Sequence, residues 1–314
     1  MLRLALVGLG TIAPFFARAI ERVEGVELVA VCDTSPSALA DWAVPGFGDV
    51  DELIEAGGFE GAVVTAPNDV HAPVCRRLLG AGVAVCCEKP LATSSADARE
   101  LVEQARSTGT TLLTAFHRRY NANLLELRDR LASRGGVKRI RGRYAERIEE
   151  HVGSDPWYLD AARAGGGVLI DNGPNAIDAV RLLAGELEVV DATLDELRNG
   201  VEFYAHVRLE AAGGIPVDLE LDWALPRGES KYVHVELLDG TVLTADFLAG
   251  YPRFKQSLEH EYDAIVRAFA AAVERGDEFG EDGAAVVELV ERAYAIARAK
   301  EGYDLPRTGS GAGS

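Results

Sequence analysis

Membrane-crossing stretches are missing from this sequence: no run approaches the roughly 20 consecutive apolar residues that a bilayer-spanning helix needs. The N-terminus runs straight into a strand pattern, with no basic segment leading into a signal-like apolar core, so the expected location is cytoplasmic. Positive charge is scarce. Lys and Arg number 32 against 50 Asp and Glu, a formal net charge of −18, and a field of that sign repels nucleic-acid phosphates and anionic membrane surfaces. Neither nucleic acid nor membrane is an expected partner. Cysteine is sparse as well: Cys32, Cys75, Cys86 and Cys87 stand in apolar contexts without CxxC spacing. The adjacent pair in one strand would point to opposite faces, which favours buried free thiols over disulfides or a metal site.

What is present suits a two-domain globular chain: 314 residues, 48% hydrophobic and 26% charged, can enclose a large core. Apolar runs and helical spacing alternate at the N-terminal end. Leu2 to Val7, Leu28 to Cys32, Gly61 to Thr65, Val83 to Cys87 and Thr111 to Ala115 read as strands, separated by helices at Ala13 to Val23, Asp49 to Ala56, about His71 to Ala81, and Ala96 to Thr108. This order implies a doubly wound parallel sheet with right-handed crossovers, placed at residues 1–120. After a helix at Ala122 to Arg134 the rhythm changes to strands at Val137 to Ile148, Leu187 to Leu197, Val201 to Ala211, Ile215 to Leu225, Lys231 to Leu238 and Val242 to Phe247. Residues 121–308 are therefore expected to form an α+β domain with a large, mostly antiparallel open sheet, closed by helices near Leu258 to Glu274 and Ala284 to Ala299. An active cleft between the two domains is the expectation, with residues 309–314 a low-complexity flexible tail.

The turn Gly8-Leu9-Gly10-Thr11-Ile12-Ala13 sits at the first strand-helix junction. Its first glycine permits a tight turn, its second lets the backbone approach a pyrophosphate, and Ala13 needs only to be small where helix meets strand. Phosphate then lies on the helix N-terminus, where free N–H groups and the helix dipole favour an anion. Asp33, at the end of the second strand, is placed to accept the adenine-ribose hydroxyls and repel a 2′-phosphate, which favours NAD over NADP. Thr34, Ser35 and Ser37 are polar neighbours, but no arginine stands beside Asp33 to neutralise a phosphate. Downstream, Glu88-Lys89-Pro90 follows an apolar run and puts an ammonium at the edge of the same site. Such a group hydrogen-bonds a substrate hydroxyl and favours its deprotonation during hydride transfer.

With Ala66-Pro67-Asn68 and His71 after the third strand, Glu88-Lys89-Pro90 after the next, and Gly165-Gly166-Gly167-Val168-Leu169-Ile170-Asp171 later, the sequence resembles the glucose-fructose oxidoreductase / inositol dehydrogenase / rhizopine-catabolism (Gfo/Idh/MocA) family over about residues 2 to 300. The resemblance implies cofactor binding by Gly8, Gly10, Thr11, Ile12, Asp33, Ala66, Pro67, Asn68, His71, Glu88 and Lys89. It also implies a lysine, here Lys89, touching both the nicotinamide ribose and the reacting hydroxyl, and an Asp-x-x-x-His pair from the second domain. Asp171 matches that aspartate, but Asn175 stands where the histidine belongs. An amide does not exchange protons near neutral pH, so Asn175 is expected to orient a hydroxyl or carbonyl while Lys89 handles the proton. Asp171, Asn175 and Asp178 would share a helix face, with Pro174 in the first turn.

Substrate contacts are expected from His117, Arg118, Trp157, Tyr158 and Asn172, with Tyr158 and His151 as reserve proton donors. His206 and His234 fall on strands without a companion ligand set, so no metal is expected. The expected activity is reversible hydride transfer between NAD and a secondary alcohol or ketone of a sugar, cyclitol or related polyol, in a homodimer or homotetramer built through the second-domain sheet. The alternative is a non-catalytic regulator that binds a dinucleotide or ligand on the same fold.

Overall fold

The computed structural model describes residues 1–134, 136–151 and 157–301. The tail expected over 309–314 lies outside the described residues, as does the Asp155-Pro156 step before Trp157. In chain order the first elements are β1 (Leu2–Val7), α1 (Ala13–Arg22), β2 (Val26–Cys32), α2 (Pro36–Leu39), β3 (Gly46–Phe47), α3 (Val50–Ala56), β4 (Gly61–Val64), α4 (Asn68–Gly80), β5 (Ala84–Glu88), α5 (Ser95–Thr108) and β6 (Leu112–Ala115). Then come α6 (Ala122–Ala132), β7 (Val137–Arg147), α7 (Ala161–Ala164), α8 (Val168–Ala184), β8 (Leu187–Arg198), β9 (Val201–Ala211), β10 (Ile215–Asp222), β11 (Ala224–Leu237), β12 (Val242–Asp246), α9 (Ser257–Arg275) and α10 (Glu281–Glu301).

Two compact units result, and the first is discontinuous: Met1–Asn121 together with Gly250–Ala285. Its six strands run parallel in the order β3-β2-β1-β4-β5-β6. Continuous apolar runs such as β4 and β5, buried on both faces, fit a parallel sheet covered by helices on both sides. Helix α5 shows how the boundaries arise: Ser94 accepts the Asp97 amide at its start, and Gly109 in a left-handed conformation ends it. The expected domain break at residue 120 falls one residue away. However, α9 rejoins unit one, because its apolar stripe of Tyr262, Ile265 and Phe269 packs with Leu4, Leu6, Phe16 and Ile20 in one buried cluster. Each such large side chain removed from water contributes about 1.5–3 kcal/mol.

Unit two comprises Ala122–Ala249 and the chain from Val286 onward. Its sheet has the order β12-β11-β7-β10-β9-β8, antiparallel except for the β7–β10 pair. Along β9, Val201, Phe203, Ala205, Val207 and Leu209 are buried, on the side against which α8 lies, while Tyr204, His206, Arg208 and Glu210 are half-buried or exposed. The strands expected as Ile215 to Leu225 and Lys231 to Leu238 divide elsewhere: β10 ends at Asp222, and β11 already begins at Ala224. Pro226 and Gly228 interrupt the ladder, and the register against β7 breaks between Ala224 and Glu229.

The triple glycine has a packing explanation. A Cβ on Gly166 would strike the Tyr294 hydroxyl, and one on Gly167 would fall on the Glu202 carbonyl oxygen, 2.7 Å from the Val201 side chain. Only bare backbone allows α8 to start this close to β9. The helix begins at Val168, so Pro174 lies inside it and not in its first turn, where Asp171 stands instead. Replacing Gly167 with Ala is expected to destabilise the protein by at least about 1–3 kcal/mol through overpacking, read as a lowered urea midpoint with the slope unchanged.

Candidate active site

In unit one the predicted cofactor segments converge. Gly8 has φ +88, and a Cβ there would come within 2.5 Å of the Ala66 amide nitrogen, so the glycine turn and the Ala66-Pro67-Asn68 loop are in backbone contact. Thr65 Oγ1 donates to the Gly8 carbonyl oxygen. Asp33 holds the turn from its other side, accepting from Leu9 N on Oδ2 and from Ser35 N on Oδ1, both at 2.8 Å. Gly10 differs: a Cβ there would meet nothing within 4 Å, and Gly10 and Thr11 are exposed before α1, whose N-cap is Ile12. No contact among the described residues demands glycine at position 10, whereas a pyrophosphate lying on the α1 N-terminus does. The residues present therefore fit a dinucleotide.

His71 links this loop to the Glu-Lys-Pro turn. Buried at the first turn of α4, it places Nε2 2.7 Å from the Ala66 carbonyl oxygen and Nδ1 2.7 Å from that of Pro90. Burial outweighs both carbonyls, and with the nearby Lys89 charge it holds the imidazole below its usual pKa, so the neutral ring donates to one of the two carbonyls at a time, as its tautomer dictates. Glu88 is buried and receives the Tyr262 hydroxyl on Oε1 at 2.8 Å and the Lys89 amide on Oε2 at 3.1 Å. Half-buried Lys89 is thus carried on a turn braced from α4 and from α9.

His117 and Arg118, expected to face the substrate, are engaged inward. Both are buried: His117 Nδ1 lies 2.5 Å from Glu261 Oε2, while Arg118 donates to Glu261 Oε1 at 2.9 Å and to Ser257 Oγ at 3.1 Å. Asn121 adds a bond of 2.6 Å to the same carboxylate. Burial alone would raise the Glu261 carboxyl, but Arg118, His117 and Asn121 outweigh it and keep the group ionised. Burial, reinforced by Arg118, pushes His117 down to about 4. The pair is therefore a neutral imidazole donating Nδ1–H to a carboxylate, and its remaining nitrogen is Nε2.

In unit two, α8 carries Asp171, Asn172 and Asn175, all buried. Asn172 Nδ2 donates to Glu146 Oε1 at 3.0 Å. Asn175 Oδ1 is buried with no hydrogen-bond partner among the described residues. Trp157 and Tyr158 lie half-exposed on a short 3-10 turn with ring centroids 3.8 Å apart. His151 Nε2 lies 3.3 Å from Glu146 and 3.9 Å from Glu229. These three side chains come within metal-ligating reach of one another, a grouping that no local spacing revealed. Lys231, however, places its ammonium 2.6 Å from Glu146 and 2.7 Å from Glu229, filling the position a cation would take. Residues missed from the sequence are thus Tyr262, Glu261, Glu146, Glu202 and Lys231. Of these only Glu261 left a trace, as a charge in the apolar stripe of α9.

Parallel strand order, a glycine turn at the switch between β1 and β4, and a braced lysine define a dinucleotide-binding oxidoreductase fold. Residues 2–116 match the model of the GFO_IDH_MocA oxidoreductase family with its NAD-binding Rossmann fold, and residues 125–242 match the GFO/IDH/MocA C-terminal domain; the chain belongs to this family. A D-xylose 1-dehydrogenase (NADP(+)) of Haloferax volcanii is 25% identical over 96% of this chain and 98% of its own length. An inositol 2-dehydrogenase of Rhizobium meliloti is 26% identical over 93% of this chain and 95% of its own. Among solved structures, GenD2 from gentamicin A biosynthesis in complex with NAD matches with a TM-score of 0.87 and 25% identity, covering 96% of this chain and 95% of that one. No helix among the described residues is long and apolar enough to cross a membrane.

The His117 shift sets a pH dependence. Its folded pKa of about 4 lies below the reference 6.5, so the unfolded chain binds the proton first, and stability present above pH 6.5 is lost as pH falls toward 4. His71 contributes in the same direction. Chemical denaturation across this range should show a shallower decline for His117→Asn, whose amide keeps a donor facing Glu261.

Proposed function

We propose that this chain is a nicotinamide-dependent dehydrogenase or ketoreductase that moves a hydride between the dinucleotide and a secondary alcohol or ketone of a sugar, cyclitol or related polyol. The observation carrying this reading is the braced Glu88-Lys89-Pro90 turn, tied by His71 to the loop that touches the glycine turn. The polyol class is supported by relatives named for xylose and inositol. Bound dinucleotide supplies the hydride acceptor or donor. The chain's part is proton and position: Lys89 hydrogen-bonds the reacting hydroxyl and, in its neutral amine form, takes its proton as the C–H bond breaks, Asp171 orients that amine or relays the proton, and Asn175 accepts a hydrogen bond without exchanging a proton. Asp33 holds the adenine ribose and disfavours a 2′-phosphate, so NAD is the proposed cofactor.

Two measurements test these roles. The protein is expected to bind NAD more than tenfold more tightly than NADP, equivalent to more than about 1.4 kcal/mol, and Asp33→Ala to narrow that gap; tighter NADP binding by the unmodified protein removes the NAD assignment. In single-turnover assays of reduced-nicotinamide absorbance over a polyol and keto-sugar panel, Lys89→Ala should lose on the order of 10²–10⁴-fold in rate while still binding NAD. Asn175→Ala should lose only what one neutral hydrogen bond contributes, about 0.5–1.5 kcal/mol. Equal losses would overturn this division of labour. NAD binding without turnover on any substrate would favour the regulator reading.

Assembly as a homodimer or homotetramer through the open face of the second sheet belongs to the same proposal. Across that face Asp191, Arg208, Asp218, Arg141 and His234 occupy paired register positions with alternating charge, a polar surface of the kind found at interfaces. Light scattering at micromolar concentration is expected to give at least twice the 33.6 kDa chain mass.

A further inference from the structure

A free helix N-terminus is a ready anion site, and α8 starts three residues before Asp171. Its terminus is already occupied from within. Glu202, fully buried on β9, accepts from Gly167 N at 2.9 Å, from Leu169 N at 3.2 Å and from the Tyr294 hydroxyl at 2.6 Å, all on Oε1. Lys231 is the one buried lysine or arginine of unit two among the described residues, and it is held by Glu146 and Glu229. Burial would raise the Glu146 carboxyl, yet Lys231 and His151 bring it down to about 2, and Glu229 is lowered too despite its burial, by Lys231 first. Both carboxylates are therefore ionised at neutral pH, against one ammonium and the His151 imidazole, so the group offers an incoming anion no surplus positive charge.

What this part of unit two offers instead is acceptors. Because Asn172 Nδ2 donates to Glu146, its amide is turned with the carbonyl end away from that carboxylate. Asn175, three positions on and so on the same side of the helix, buries a carbonyl oxygen with no partner among the described residues. A buried acceptor left unpaired costs about 1–3 kcal/mol, which a hydroxyl donor recovers and an anion does not.

We infer that the site selects a neutral, hydroxyl-rich substrate over a phosphorylated or carboxylate-bearing one, with Asn172 and Asn175 accepting hydrogen bonds from two substrate hydroxyls while Glu202, Glu146 and Glu229 keep the α8 terminus and Lys231 from binding an anion. This rests on the oxidoreductase reading and narrows its substrate. Glu146 is a positioning residue in it, acting through Asn172.

The test compares kcat/KM with NAD for matched probes: myo-inositol against inositol 1-phosphate, and D-glucose against D-glucuronate and glucose 6-phosphate. The neutral member of each pair that turns over is expected to be favoured at least tenfold. Glu229→Gln leaves Lys231 with one carboxylate and should narrow the discrimination severalfold, mainly by lowering KM for the anionic member. Asn175→Leu, of similar volume, should raise KM for the neutral member several-fold. The unmodified protein alone decides the main point. Preference for an anionic member overturns the inference while leaving the oxidoreductase standing, and an unchanged ratio in Glu229→Gln overturns the part given to Lys231. Absence of nicotinamide reduction with these probes and with the whole polyol and keto-sugar panel, in protein that binds NAD, removes the oxidoreductase reading and this inference with it.

Discussion

The carboxylate of Glu261 ties the end of the parallel sheet to the helix that returns to it. It lies with no exposed surface under His117, Arg118 and Asn121, three residues from the stretch directly after β6. Its neighbour Tyr262 reaches Glu88, the residue before Lys89. One turn of α9 therefore fixes both the exit from β6 and the turn that carries the candidate proton-handling lysine. Removing one partner of such a buried pair strands the other charge, at a cost of about 3–5 kcal/mol. Placement of Lys89 thus depends on contacts made far from it in sequence.

The glycine run before Asp171 does analogous work in unit two. Its second and third glycines press the start of α8 against Tyr294 and the β9 backbone, and Glu202 then receives the first amides. Asp171 and Asn175 take their positions from that seat. A run that reads as a family signature is, physically, a close approach of two backbones that no side chain permits.

Features that act locally were legible in the sequence. The strand-turn-helix start, Asp33 at the end of β2 and the turn after β5 depend on residues within one crossover, so pattern and motif located them. Contacts across long separations were not. Tyr262 and Glu88 lie 174 positions apart, and Glu146, His151, Glu229 and Lys231 come from segments that share no spacing rule. Glu202 breaks the alternation of β9, which is visible only once Tyr294 and the α8 amides are seen around it. His117 and Arg118 stand just after β6 and read as substrate contacts, yet the acid that draws them inward lies on a helix some 140 positions later. Pro174 misled for a related reason, since the true start of α8 is set by Glu202 and not by local helix chemistry.

The discontinuity of unit one also orders events in time. The parallel sheet is encoded within the first 121 residues, but its covering helix and the bonds to Glu88, His117 and Arg118 arrive with Gly250–Ala285. During synthesis the whole of the β7–β12 sheet emerges before α9 does. Until then, apolar side chains such as Leu4 and Phe16 lack their α9 partners and Glu88 lacks its tyrosine. The nucleotide-binding half is begun first and finished after its neighbour, so its last contacts close the longest loops in the chain.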